Sequence, residues 1–121
     1  MSYLNRHMVT EFQKNQHFKE DMAQILARQV EFPLGSFVTV VDARLSSDQA
    51  NAKVTLSVMP VAYEEQVLDA LKTFKHDIVK SMAGSLRLRK MPNLHWEFDH
   101  TEQKAQDLEE FMDELKEKGE L

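Results

Sequence analysis

Between residues 52 and 58 the chain alternates without a break: Ala52, Val54, Leu56 and Val58 are apolar, and Lys53, Thr55 and Ser57 between them are polar. Side chains on a strand point to opposite faces at every step, so this stretch buries one face and wets the other only as a β-strand. A strand needs neighbours, and the sequence provides two. Phe37–Leu45 is a β-branched run, and the polar, turn-prone Ser46, Ser47, Asp48, Gln49 and Asn51 that follow it predict an antiparallel hairpin with the alternating stretch. Further on, Leu94, Trp96 and Phe98 alternate with His95, Glu97 and Asp99, which predicts a third half-buried strand.

The rest of the chain changes period. Phe18, Met22, Ile25 and Leu26 recur at helical offsets, predicting a helix from about Tyr3 to Val30 that Pro33 and Gly35 end. Pro60 opens a second helix with Glu64 and Glu65 near its N-terminus, where the dipole favours negative charge, and Val67, Leu71, Phe74, Ile78 and Met82 as its buried stripe. Gly84 is placed to stop or bend it. Thr101 is expected to cap a last amphipathic helix carrying Ala105, Leu108, Phe111, Met112 and Leu115. The expected fold class is α+β, a three-stranded sheet with helices on one face; residues 1–100 form the domain and residues 101–121 an acidic amphipathic helix or tail.

Several function classes are set aside by what the chain lacks. It has no cysteine, so thiolate nucleophiles and cysteine-ligated metals are excluded, in keeping with a cytoplasmic protein. It has no apolar run long enough to span a bilayer, and no membrane or small-molecule partner is expected. Neither a phosphate-cradling glycine loop nor a nucleophile beside a base is present, so no enzyme and no cofactor are expected. His95, Glu97, Asp99 and His100 have metal-ligating chemistry, but polar residues on the wet side of a strand are ordinary and their spacing points to no metal. Trp96 is in phase with Leu94 and Phe98 and reads as core, not as a stacking platform for bases.

The net charge of -5 hides a division. Residues 101–121 hold eight acidic residues against three lysines, which accounts for all of it. Lys72, Lys75, Lys80, Arg87, Arg89 and Lys90, by contrast, face Asp77 alone over their nineteen residues. Cations grouped along one element neutralise several phosphates and gain from counterion release, which makes this run the leading candidate for RNA contact. Arg87 and Arg89 flank Leu88 in alternation, so an extended backbone there sends both guanidinium groups to one side. Arg44 and Lys53 on the hairpin are secondary candidates.

Three ordered stretches carry a resemblance. Phe37-Val38-Thr39-Val40, Ala50 to Val58, and Leu86-Arg87-Leu88-Arg89-Lys90-Met91-Pro92-Asn93-Leu94 with the strand ending in Phe98-Asp99 are similar to the signature segments of the ribosome-binding factor A family. The resemblance covers about Phe18 to Asp99. It implies a single type II KH-like domain with the order α-β-β-α-(kink/α)-β plus a C-terminal helix. It also implies a monomeric ribosome biogenesis factor whose partner is the free small ribosomal subunit and its rRNA, acting in late maturation and most needed in the cold.

Two departures bear on RNA binding. Where the family has an Ala-x-Gly kink between its paired helices, this chain has Phe74-Lys75-His76, so the helix is expected to run straighter or to bend nearer Ala83-Gly84. An Asp-Pro-Arg of the family reads Phe32-Pro33-Leu34 here, which removes a cation. The rival reading is a divergent KH-like protein-interaction module that has lost RNA binding and uses its acidic tail or exposed sheet.

Overall fold

The alternating stretch becomes the central strand of the sheet. In the computed structural model, which describes residues 3–86, 88, 90–101 and 112 with side chains from residue 13 onward, the elements are α1 (Tyr3–Gln29), β1 (Phe37–Leu45), β2 (Asn51–Met59), a 3-10 turn at Val61–Tyr63, α2 (Glu64–Thr73), α3 (Lys75–Ser85) and β3 (Asn93–Phe98). The strand order is β1-β2-β3, with β1 antiparallel and β3 parallel to β2. A parallel neighbour needs a crossover, and α2 with α3 supplies it.

Alternation decides which face the helices cover. Ala52, Val54, Leu56 and Val58 are at most 2% exposed and meet Met22 and Ile25 of α1, Val67 and Leu71 of α2, and Ile78 and Met82 of α3 in one core. Each of these side chains larger than alanine contributes roughly 1.5–3 kcal/mol by leaving water. Trp96 packs against this core from β3, as its phase predicts. Lys53, Thr55 and Ser57 lie on the opposite, open face.

A bulge adjusts β1. The register steps from Val40↔Leu56 to Asp42↔Thr55, leaving Val41 as an extra residue. A shift by one residue exchanges the faces of everything downstream, so Ala43 turns into the core at 0% exposure while Asp42 and Arg44 turn to the open face. The hairpin itself is closed by side chains: Asp48 Oδ1 accepts from the Ser46 hydroxyl at 2.7 Å and from the Ala50 amide at 3.0 Å. Gln49 takes the positive φ of 60° that the turn needs.

The second helical stretch corrects one expectation. It neither runs straight nor bends near Gly84; it breaks at Phe74, and α3 continues through Gly84 to Ser85. Phe74 sits at φ -96°, ψ 14°, a bridge conformation open to any L-residue, so no glycine is required. Its amide still donates to the Ala70 carbonyl at 2.9 Å and its carbonyl still accepts from the Ile78 amide at 3.0 Å, while its ring packs against the core. Two helix-type hydrogen bonds are therefore kept at the bend. At Thr101 the hydroxyl and amide both donate to the Asp99 carboxylate, so Asp99 organises the turn there. The expected C-terminal helix lies outside the described residues apart from Thr101 and Met112, which are both helical.

Candidate nucleic-acid interface

The candidate cations fall into two groups. Lys72 closes the last turn of α2, Lys75 is the first residue of α3, and Lys80 follows on the same helix; all three are exposed. Lys72 suits the negative end of the α2 dipole, whereas Lys75 stands at the positive end of α3, where a cation gains nothing from the helix. Asp77 in the first turn of α3 offsets part of that charge. Among the described residues none of these lysines is in an ion pair or hydrogen bond with a carboxylate, and the Phe74 bend sets Lys72 and Lys75 on either side of one corner.

Arg44, Lys53 and Lys90 form the second group, at the hairpin end of the sheet. Arg44 pairs with Lys53 in register, and Lys53 with His95, so the three side chains make one rung across the open face. The adjacent rung, Asp42, Thr55 and Glu97, supplies counter-charges. Arg44 Nε lies 3.0 Å from Asp42 Oδ2, and Lys53 Nζ lies 3.2 Å from Glu97 Oε2. Both pairs are largely exposed and each contributes at most about 1 kcal/mol. Arg44, Lys53, His95 and Glu97, with Leu45, Ser46 and Asn51, line an open depression of about 430 Å³. Lys90 is exposed and close enough to the hairpin to help hold the Asp48 carboxyl below the usual carboxylate range, an effect caused first by the Ser46 hydroxyl and then by the Ala50 amide. Arg87 and Arg89 lie outside the described residues; Leu88 between them packs against the core.

The side chains of His95 and Glu97 on the third strand, and of His100 beyond it, meet other side chains. His95 Nε2 is 3.0 Å from Asn51 Oδ1, Glu97 is taken by Lys53, and His100 Nε2 meets Glu64 Oε1 at 2.8 Å. Among the described residues no three potential ligands gather.

A model of the family described as ribosome-binding factor A matches residues 11–112, from α1 through β3 and past it. The chain belongs to the ribosome-binding factor A family. Ribosome-binding factor A of Coprothermobacter proteolyticus is 31% identical over 106 residues, covering 88% of this chain and 77% of that one. The crystal structure of ribosome-binding factor A from Thermus thermophilus superimposes with a TM-score of 0.58 at 22% identity, over 71% of this chain and 92% of that one. Coordinates of the Thermus thermophilus protein fitted into a cryo-EM map of its complex with 30S match with a TM-score of 0.54 at 25% identity, over 69% and 93% of the two chains. The family match contains every candidate cation, from Arg44 to Lys90.

Sequence reasoning missed the parts of this site that depend on register. Asn51 and His95 join the hairpin cations only because β3 pairs with β2, and Arg44 reaches the open face only because of the bulge. The doubled Val40-Val41 ahead of a charged residue is the one signal in the sequence that marks that bulge. Among the described residues no helix is long and apolar enough to cross a membrane.

Proposed function

We propose that this protein is a cytoplasmic, non-catalytic and monomeric assembly factor that binds the immature small ribosomal subunit through its 16S rRNA and assists late maturation and rRNA processing. The type II KH-like label belongs to the same reading. The observation that carries it is the group of exposed lysines, Lys72, Lys75 and Lys80, with no carboxylate partner among the described residues, in a chain of a ribosome-binding family. Unpaired cations gain the full benefit of displacing counterions from phosphate, and binding that rests on them is electrostatic and read through shape. The relative fitted into a 30S map supports the small subunit as partner. Arg87, Arg89 and Lys90 extend the same basic run, with Arg44 and Lys53 in a lesser role.

Co-sedimentation of the purified protein with free small subunits, whole ribosomes and naked rRNA over a salt series tests this reading. The expected result is binding selective for free small subunits that weakens steadily as salt rises. Absence of binding to all three, or affinity indifferent to salt, would overturn it.

A further inference from the structure

Leu34 is held in water by its backbone. The Pro33 carbonyl accepts the Ser36 amide at 3.1 Å and the Ser36 hydroxyl at 2.6 Å, and Gly35 sits at φ +88°, so residues 33–36 close a tight turn of type II shape. Its second residue, Leu34, is 96% exposed. Phe37 then opens β1 at 75% exposure, and its register partner Met59 is 37% exposed on the same uncovered face of the sheet. Single exposed apolar residues are ordinary, but a leucine, a phenylalanine and a methionine presented together at one end of a sheet mark a contact surface.

The charges at that end select the partner. Glu31 is exposed two residues before the turn. The Tyr63 hydroxyl approaches Gly35, to within 3.6 Å of where a Cβ would stand, and brings Glu64 and Glu65 to the same end. The Asp99 amide donates to the Leu56 carbonyl at 2.8 Å, which sets Asp99 just past the end of β3. Against these stand Arg28 in the last turn of α1 and His100, which is engaged by Glu64. Lys90, Arg44 and Lys53 belong to the opposite end, where Asn93 of β3 pairs with Asn51. Glu64 is engaged by His100 and Asp99 by Thr101, so Glu31 and Glu65, exposed and without a partner among the described residues, are the charges that repel phosphate and attract a basic polypeptide at this end.

We propose that Leu34, Phe37 and Met59 form a docking surface for a protein segment that carries an apolar anchor side chain between lysines or arginines. This surface is separate from the lysines assigned to RNA and stands whether or not that assignment holds. With three anchor side chains, it belongs among small, transient contacts.

The test titrates the full chain with a labelled peptide of lysines and arginines around one central phenylalanine, follows amide shifts by NMR, and repeats the titration with serine at the centre. Shifts confined to residues 31–37 and 59–65, weakening of about fivefold or more by Leu34→Ser and separately by Phe37→Ser, and poor binding of the serine-centred peptide are the expected results. Leu34→Ser lies in a turn outside the strands, so it remains informative if Phe37→Ser perturbs the hairpin. No binding, equal binding of the two peptides, displacement of the peptide from these residues by an RNA oligonucleotide, or self-association abolished by Leu34→Ser would each overturn the proposal.

Discussion

The helical face and the open face of the sheet both carry cations, yet they hold them differently. On the helices, Lys72, Lys75 and Lys80 stand exposed without a carboxylate partner among the described residues; on the sheet, Arg44 and Lys53 are each tied to a carboxylate on the next rung. An RNA phosphate approaching the helices displaces only mobile ions, while one approaching the sheet must compete with Asp42 and Glu97. A count of basic residues therefore overstates the sheet and understates the helices. Availability, set by the neighbouring strand or turn, is the quantity that matters for binding.

The contrast can be broken at its hinge. Phe74→Ala removes the ring that anchors the bend between Lys72 and Lys75, and because that ring is half-buried the expected loss is roughly 2 kcal/mol, below the cost for a fully buried phenylalanine. Denaturant unfolding measures it, and an unchanged midpoint would mean that the corner is organised by something else. A smaller effect compares the faces directly. Replacing Lys72, Lys75 and Lys80 by Ala should weaken rRNA binding about tenfold at low salt and reduce the salt slope by about two to three, with stability unchanged. Arg44→Ala with Lys53→Ala should change affinity about twofold or less, since both cations are already paired. Equal losses from the two sets of variants would erase the distinction drawn between the faces.

The smallest expected effect sharpens the hairpin end. Hydrogen bonds from Ser46 and Ala50, with Lys90 nearby, hold the folded Asp48 carboxyl below its ordinary value of 3.8. A depressed folded value means that the carboxylate stabilises the fold above the ordinary range and that this contribution is lost as pH falls through the lower folded value. Carboxyl-carbon NMR should show Asp48 titrating below that ordinary value, and Asp48→Asn should remove this part of the acid dependence. Titration at or above the ordinary value would show that the hairpin is closed without this carboxylate.

Most of the fold was legible because it rests on period. The alternation of Ala52 to Val58 and of Leu94 to Phe98, and the stripe from Val67 to Met82, correspond to elements whose ends lie within a residue or a few of those expected. What escaped was local geometry that leaves periodicity nearly intact. The Phe74 bend uses a conformation any residue adopts, so searching for glycine pointed to Gly84 instead. The lysines were legible as a charge cluster, but the pairing of Lys53 with Glu97 depends on a partner from another strand and could not be read from spacing. The exposure of Leu34 and Phe37 depends likewise on the turn at residues 33–36 and on the register of β1, which spacing does not give.

The mixed sheet also has a consequence for the newborn chain. β2 lies at the centre, but its parallel neighbour β3 begins only at Asn93, after the whole crossover has been made. During synthesis the hairpin of β1 and β2 can close early from local contacts, whereas the other edge of β2 stays open until β3 emerges. For that interval the most deeply buried strand of the described sheet presents unpaired amides and carbonyls to its surroundings, so the speed with which α2 and α3 bend at Phe74 and deliver β3 sets how long the nascent chain is vulnerable to mispairing with its neighbours.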